Sequence, residues 1–442
     1  FRRVLFRSDQ TRGWFFTLHA IATMVFDSVS YKAVISNGLV LDKNGNKMSK
    51  RLNNAVDPFT TIEKYGSDPL RWYMITNSSP WDNLKFDVEG VEEVRRKFFG
   101  TLYNTYSFFA LYANVDGFEY KEADVPMAER PEIDRWILSV LNTLIKEVDT
   151  CYNEYEPTKA GRLISDFVND NLSNWYVRLN RKRFWGGEFT QDKLSAYQTL
   201  YTCLETVAKL MAPISPFYAD RLYTDLITAT GRDSVVSVHL AEFPKYQEEM
   251  IDKELEVRMQ MAQDVTSMVL ALRRKVNIKV RQPLQCIMVP VVDEEQKAHI
   301  EAVKNLIMNE VNVKEVRFVD GAAGVLVKKV KCDFKKLGPK FGKQMKAVAA
   351  AVAEMSQEAI GELEKNGKYT LNLDGAEAVI EASDVEIFSE DIPGWLVANE
   401  GKLTVALEVT ITEELRREGI ARELVNRFRI YVSQAALRLQ TK

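Results

Sequence analysis

The sequence predicts a multidomain chain of α/β and all-α class: an α/β segment, a helical bundle and a mixed α+β region. Three observations predict it. A strand, a polar turn-rich loop and a helix succeed one another over residues 34–76, the order of a crossover in an α/β domain. Four long amphipathic patterns with short connections fill residues 133–229, as in a bundle. Beyond residue 250 helical and strand-like patterns alternate. A length of 442 residues suits this division, at roughly 150 residues per domain.

Residues 14–26 (WFFTLHAIATMVF) carry apolar residues at helical spacing and read as a buried helix. Residues 34–40, with Asn37-Gly38 inside, read as a short strand. Asp42-Lys43-Asn44-Gly45-Asn46 has strong turn chemistry and leads into Lys47-Met48-Ser49-Lys50-Arg51. Pro58 opens helical periodicity over 58–76. Residues 118–131 are polar and acidic with two prolines, and read as a linker. Helices are expected at 133–153, 158–184, 191–211 and 215–229, a second connection at 234–249 and a charged helix at 250–276. Strands follow at 280–292, 312–319, 325–334, 368–373, 377–389 and 402–409, with helices at 293–309, 341–364 and 412–430. There is no internal repeat and no low-complexity run.

Composition excludes several classes. Lys plus Arg is 59 and Asp plus Glu 62, so no supercharged tail or disordered polyion is present. A near-neutral sum still allows a local basic surface for a polyanion. Cys151, Cys203, Cys286 and Cys332 lie at least 46 residues apart, which offers neither a CxxC zinc half-site nor a disulfide framework. The chain therefore reads as reduced and cytoplasmic. His19, His239 and His299 form no pair at metal spacing, and no metal site is expected. No apolar run is long enough for a membrane-spanning helix. Residues 1–8 (FRRVLFRS) lack the apolar core of a secretory signal and read as a non-native scar, Val4 to Ser8 resembling a translated adapter.

The Lys47-Met48-Ser49-Lys50-Arg51 loop carries the strongest chemical signal. Two lysines three residues apart on a turn-rich loop can close over a triphosphate and offset charge that develops at the phosphates. Ser49 adds a hydroxyl donor. The plain alternative is a solvated basic turn. On residues 158–184, Phe167, Val168, Leu172, Trp175 and Leu179 form an apolar stripe at α-helical spacing. Asn171, Asn174, Arg178 and Arg181 gather beside it, followed by Lys182, a face that could track a phosphate backbone. The plain alternative is a salt-bridged surface helix. Residues 328–346 hold eight lysines with Asp333 as the single acid, which suits either RNA backbone or a solubilising face balanced by acids elsewhere.

Asp9-Gln10-Thr11-Arg12-Gly13-Trp14-Phe15 precedes the lysine loop, and the combination of "DQTRGWF" with "NGLVLDKNGNKMSKR" resembles isoleucyl-tRNA synthetase, a class I aminoacyl-tRNA synthetase. The likeness continues in "YGSDPLRWYM", "PEIDRWILSVLNTL", "NWYVRLNRKRFW", "LMAPISPFYADRLY" and "TEELRREGIARELVNR", over about residues 9 to 428. The loop ending in Arg51 and the form of the last region look like the eukaryote-like branch, which also occurs in bacteria. The resemblance implies the C-terminal part of a Rossmann-type catalytic domain over 9–120, a helical anticodon-binding domain over 131–248 and a mixed α+β C-terminal domain over 249–442. It implies that Lys47, Ser49 and Lys50 are catalytic and that Asn37, Gly38, Leu39, Val40, Lys47 and Lys50 bind ATP. Asp9, Gln10 and Trp14 would contact the aminoacyl-adenylate, Trp14 walling the isoleucine pocket with flat apolar area. Asn174, Arg178, Arg181 and Lys182 would lie near tRNA. ATP with accompanying Mg, L-isoleucine and tRNA(Ile) are the implied ligands, with no zinc site and no membrane partner.

The sequence departs from the family in lacking His-x-Gly-His, the glutamate before the Gly-Ser-Asp-Gln stretch and the editing insertion, and from about Ile430 onward. The expectation is a C-terminal fragment that is inactive alone. Without editing it could not hydrolyse mischarged valine, since one methylene is worth only about 1–3 kcal/mol, a case for which the isoleucyl family is a standard example. Two alternatives stay open. One is a stand-alone, non-catalytic tRNA-binding module using residues 131–442. The other is a valyl or leucyl enzyme fragment.

Overall fold

Packing divides the chain into two units, residues 1–253 and 254–442, each described by itself. The computed structural model describes residues 13–52, 54–291, 293–320, 326–373, 376–391, 394–400 and 403–440. Residues 1–8, read as a scar, lie outside them.

Helix α1 (Trp14–Phe26) forms where the spacing predicts it, yet none of its residues is buried. The expectation of a buried helix is corrected: helicity is decided within the segment, whereas burial needs a facing element. The strand expected at 34–40 shrinks to β1 (Val40–Leu41), paired in parallel with β2 (Leu84–Lys85). The reason is local. Leu39 donates its N–H to the Asn83 Oδ1 (2.9 Å) rather than to a strand carbonyl, so the ladder stops there.

The helical pattern over 58–76 is split into α2 (Pro58–Tyr65) and α3 (Ser67–Asn77). Gly66, at φ 92°, sits between them in a conformation that L side chains avoid. Asp57 caps α2 by accepting the Thr60 N–H (3.0 Å), with Pro58 in the first turn. A rod the sequence reading does not include then runs through α4 (Val88–Val94), a π-helical stretch (Arg95–Phe99) and α5 (Gly100–Asp116).

The bundle matches the predicted helices closely: α6 (Glu132–Asn153), α7 (Pro157–Asp166), a π-helix (Phe167–Val177), α8 (Arg178–Phe184), α9 (Gln191–Met211) and α10 (Pro216–Thr230). The segment 118–131 is irregular apart from a short 3-10 turn, Met127–Glu129, and it is packed down. Phe118, Tyr120 and Val125 are buried, and Val125 N–H donates to Gln198 Oε1 (2.9 Å). Burial, then Asp124, pushes the Tyr120 phenol up to about 12.

Helix α3 is bolted to this bundle. Trp72 is 1% exposed, stacks on Phe98 at 4.4 Å and donates its indole N–H to Ser165 Oγ (3.1 Å). Arg162 Nε donates to the Thr76 carbonyl (2.8 Å) and Arg71 Nε to the Ile214 carbonyl (2.9 Å). Asp68 Oδ2 accepts the Tyr218 N–H (2.6 Å). Gly161 gives this contact its closeness: a Cβ there would overlap the Thr76 methyl at 2.6 Å.

The bundle's polar centre is Asp134, which is fully buried. Its carboxylate accepts from Arg183 Nη1 (2.6 Å) and Nη2 (2.9 Å), Tyr176 Oη (2.8 Å) and Ser195 Oγ (2.5 Å). Burial, then the adjoining Asp134 charge, drives the Tyr176 phenol well above its ordinary range.

In the second unit α11 (Lys253–Lys275) leads to β3 (Leu284–Val291), α12 (Glu294–Val311) and β4 (Val313–Asp320). β3 and β4 are parallel, joined by α12, and β10 (Leu403–Glu408) and β9 (Trp395–Glu400) add antiparallel strands in the order β4-β3-β10-β9. β5 (Leu326–Cys332) pairs with β8 (Val385–Asp391), and β6 (Lys368–Leu373) with β7 (Ala376–Glu381). Helices α13 (Phe334–Phe341), α14 (Met345–Ala353) and α15 (Gln357–Asn366) lie between β5 and the β6–β7 hairpin, and α16 (Glu413–Gln440) ends the unit. Two expectations need correction. The strand 377–389 breaks at a short turn, Ala382–Asp384, where buried Asp384 takes the Lys340 ammonium (2.8 Å). The helix 341–364 is three pieces, and the α14–α15 break carries a Ser356 cap on Ala359 N–H (3.2 Å).

Replacing Asp134 by Ala strands Arg183, Tyr176 and Ser195 in the interior. Breaking a buried ion pair from one side costs about 3–5 kcal/mol. Urea unfolding should register that loss for Asp134→Ala and under about 0.5 kcal/mol for Arg181→Ala on the surface. Equal, small losses in both would contradict Asp134 as the organising group.

Candidate functional site

The lysine loop is shaped by one carboxylate. After β1 the chain turns at Gly45 (φ 87°) and returns, with Asp42 N–H bonded to the Asn46 carbonyl (2.9 Å). Asp42 Oδ1 accepts the N–H groups of Asn44 (3.0 Å) and Asn46 (2.7 Å). Its Oδ2 accepts the Asn54 amide (2.9 Å). Asn54 also donates to the Lys47 carbonyl (3.2 Å) and accepts the Ser49 N–H (2.9 Å). Asp42 and Asn54 thus tie both ends of the loop to its middle. These bonds, the Asn46 N–H first and the Asn54 amide next, hold the Asp42 carboxyl below its ordinary range.

Lys47 is exposed on the outside of this knot, and Met48 turns inward against the cluster of Tyr65, Leu70, Leu84 and Phe86. A cavity of about 150 Å³, lined by Val40, Met48, Val56 and Phe86 among others, lies beside it. Ser49 is half-buried, and its Oγ accepts the Leu52 N–H (3.2 Å) within the turn Lys50–Leu52. The Lys50 backbone opens that turn; its side chain lies outside the described residues. Inward Met and outward Lys47 follow from the brief antiparallel bridge of Leu41 with Lys47.

Asn37 to Val40 run beside the 79–86 segment. Gly38 N–H donates to the Pro80 carbonyl (2.8 Å), and a Cβ on Gly38 would overlap the Asp82 carbonyl oxygen. Only glycine permits that approach. Asn37, Leu39 and Val40 remain exposed. Trp14 is 62% exposed on α1 and is not part of the buried core of the described residues. Asp9 and Gln10 lie outside the described residues.

The proposed RNA face sits partly on the π-helix, whose wider turn the α-helical spacing did not anticipate. Of the predicted stripe, Phe167, Val168, Leu172 and Trp175 are buried and Leu179 is half-buried, and Tyr176 and Val177 are buried as well. Asn174, Arg178, Arg181 and Lys182 are exposed; Arg178 Nε donates to the Asn174 carbonyl (2.7 Å). Arg183, next in sequence, instead serves Asp134. In the lysine-rich stretch, Lys340 binds Asp384 and Lys336 donates to the Ser383 carbonyl (2.8 Å), which favours the balanced-face reading for these two. Lys328, Lys329, Lys335 and Lys343 have side chains outside the described set.

All four cysteines are free and buried. Among the described residues no group of three or more His, Cys, Asp or Glu is arranged to hold a metal, and no helix is long and apolar enough to cross a membrane. Asn54, Asn83 and Asp57 were missed by sequence reasoning. Their signal was present: Asn and Asp flanking turn and helix starts act through their own side chains.

The strand, the clamped lysine loop and the following helix fall within one family match, and the helical bundle within another, both of the class I tRNA synthetases and tRNA ligases. Residues 4–87 match the family "tRNA synthetases class I (I, L, M and V)", and residues 134–288 match "Anticodon-binding domain of tRNA ligase". Within that class the chain is most informatively compared with the isoleucine–tRNA ligases, to which it is similar along nearly all of its own length. It is 96% identical over 419 residues to isoleucine–tRNA ligase of Bacteroides thetaiotaomicron, covering 95% of this chain and 36% of that protein. It is 68% identical over 434 residues to isoleucine–tRNA ligase of Porphyromonas gingivalis, covering 98% of this chain and 38% of that protein. The chain therefore spans little more than a third of these relatives.

Asp42 sets a pH dependence. Its depressed carboxyl contributes fully above the ordinary Asp value of about 3.9 and loses that contribution as pH falls through its own lower value. Amide hydrogen exchange at Asn46 and Ser49 should stay protected at about pH 5 and lose protection in stronger acid. Asn54→Ala should speed Ser49 exchange roughly 2- to 10-fold at neutral pH. Unchanged Ser49 exchange would contradict the clamp.

Proposed function

We propose that this chain supplies the phosphate-facing loop and the tRNA-binding part of an isoleucine–tRNA ligase working in the cytoplasm. The parent joins L-isoleucine to ATP, forming the aminoacyl-adenylate and releasing pyrophosphate, then transfers the acyl group to the terminal ribose of tRNA(Ile). The observation that carries the reading is the Asp42–Asn54 clamp, which holds the backbone of Lys47 and Ser49 through the loop's own side chains. A loop already in place offsets developing charge at no reorganisation cost.

In the activation step the isoleucine carboxylate attacks the α-phosphorus, and the bond to pyrophosphate breaks. Lys47 and Lys50 meet negative charge building on the phosphates and the leaving group. Ser49 retains a hydroxyl proton to donate, because its Oγ is the acceptor of Leu52 N–H. The edge backbone of Asn37, Gly38, Leu39 and Val40 would border the adenine, and Asp9, Gln10 and Trp14 the adenylate. Mg accompanies ATP. The loop does not fit a resident magnesium site: both oxygens of its one carboxylate, Asp42, are already taken by amide donors.

The division into 9–120, 131–248 and 249–442 is retained as catalytic, anticodon-binding and C-terminal domains. Asn174, Arg178, Arg181 and Lys182 would approach RNA, supported by their exposure within residues 134–288. The eukaryote-like branch rests on the loop ending at Arg51; the relatives named above are bacterial.

In the complete ligase, Lys50→Ala should slow isoleucine-dependent ATP–pyrophosphate exchange by roughly 10²- to 10³-fold. Its affinity for tRNA(Ile) should stay within about twofold. Unchanged exchange kinetics would remove Lys50 from the phosphate site.

A further inference from the structure

Between Asp264 and Asp293 the sequence holds no acidic residue, while Arg273, Arg274, Lys275, Lys279 and Arg281 fall in that interval. They close α11 and form the turn after it. Cations in the last turn of a helix complement its negative end, which accounts for part of the cluster. It does not account for Arg273. That side chain is 1% exposed, and its guanidinium donates to the carbonyls of Lys279 (3.2 Å), Gln282 (2.9 Å) and Asn312 (2.9 Å). Its Nε has no partner, and among the described residues no carboxylate pairs with it. Burial alone pulls its pKa down to about 10, which still leaves it charged at neutral pH. A buried ion without a counter-ion is strongly unfavourable.

A pocket of about 470 Å³ lies over this group, lined by Arg273, Arg274, Asn277, Lys279, Leu270 and Val280 among others. Asn277, at φ 56°, turns the chain so that Lys279 returns to the pocket, and the Arg273 bond to the Lys279 carbonyl fixes that return. Arg274 and Lys279 are exposed. One carboxylate, Glu423, stands 4.0 Å from Lys279, but it is shared with Arg281 at 3.3 Å and Arg427 at 3.8 Å. The pocket therefore keeps an excess of positive charge.

We propose that this pocket binds a phosphate group, with Arg274 and Lys279 on its oxygens and Arg273 behind them as a fixed positive charge. The cations continue along the turn to Arg281, which suits a strand carrying successive phosphates. The source is accordingly the backbone of bound tRNA, a clause that rests on the tRNA-binding reading above.

The test uses the complete ligase carrying Arg274→Ala and Lys279→Ala together, which leaves the Arg273 clamp in place. Lys275→Ala, a neighbouring cation outside the pocket lining, is the control. Binding of tRNA(Ile) is measured against salt concentration. The double variant should bind about 10-fold more weakly at low salt, with the slope of log K against log salt smaller by about 1 to 2. Thermal unfolding with inorganic phosphate, against a chloride control of equal ionic strength, is the second arm. Phosphate should raise the Tm of the wild type and not of the double variant. Unchanged tRNA binding with phosphate protection confined to the wild type would keep the pocket and assign it to a free phosphate. No difference between the two proteins in either arm overturns the proposal, as does an equal loss in Lys275→Ala. A wild type that does not bind tRNA(Ile) would instead overturn the tRNA-binding reading, and the phosphate arm would still decide the pocket.

Discussion

The Asp42 carboxylate is the constraint from which the candidate site hangs. It gathers donors from Asn44, Asn46 and Asn54, and Asn54 passes the restraint on to Lys47 and Ser49. A loop rich in Asn, Gly and Lys has many conformations available, and ordering it costs roughly 1–2 kcal/mol per residue in backbone entropy. Here the side-chain bonds of Asp42 and Asn54 offset part of that cost. Exposed cations with a fixed backbone can then respond to charge on a triphosphate without first being organised.

The loop is also tied to the helical bundle through α3. The Met48 side chain packs on the cluster that includes Leu70 and Tyr73 of α3. The opposite side of that helix is fastened by Trp72 to Ser165, Arg71 to the Ile214 carbonyl and Asp68 to the Tyr218 N–H. Burial raises the Asp68 carboxyl above its ordinary value, against the pull of the Tyr218 N–H. Loop and bundle thus belong to one packed unit. In the proposed enzyme this joins the phosphate-facing loop directly to the surface that would meet RNA.

Much of the fold was legible in the residues. The α9 boundaries, Gln191–Met211, and strand β6, Lys368–Leu373, coincide with their periodicity, because capping and pattern agree there. The lysine loop was legible as a motif, but its clamp was not. Asn54 acts across a gap of twelve residues on Asp42, and no local propensity encodes such a bond. Rod α4–α5 escaped because Leu102, Phe109 and Ala113 are buried among other aromatic residues that blur the stripe. The π-helix escaped because spacing arguments assume 3.6 residues per turn. Burial of α1 was overestimated for a different reason: an apolar segment states what it needs, not what covers it. Arg273 reads in sequence as one more surface cation, and only the fold reveals that it is enclosed.

In the proposed enzyme, loop shape set by Asn54 and Asp42 prepares the lysines for chemistry at phosphate. Isoleucine-dependent ATP–pyrophosphate exchange by the complete ligase carrying Asn54→Ala tests it most directly. The expected result is a fall in kcat of roughly tenfold or more with tRNA(Ile) affinity unchanged, since the Asn54 side chain bonds to Asp42, Lys47 and Ser49 of the loop. Exchange at the wild-type rate would contradict it.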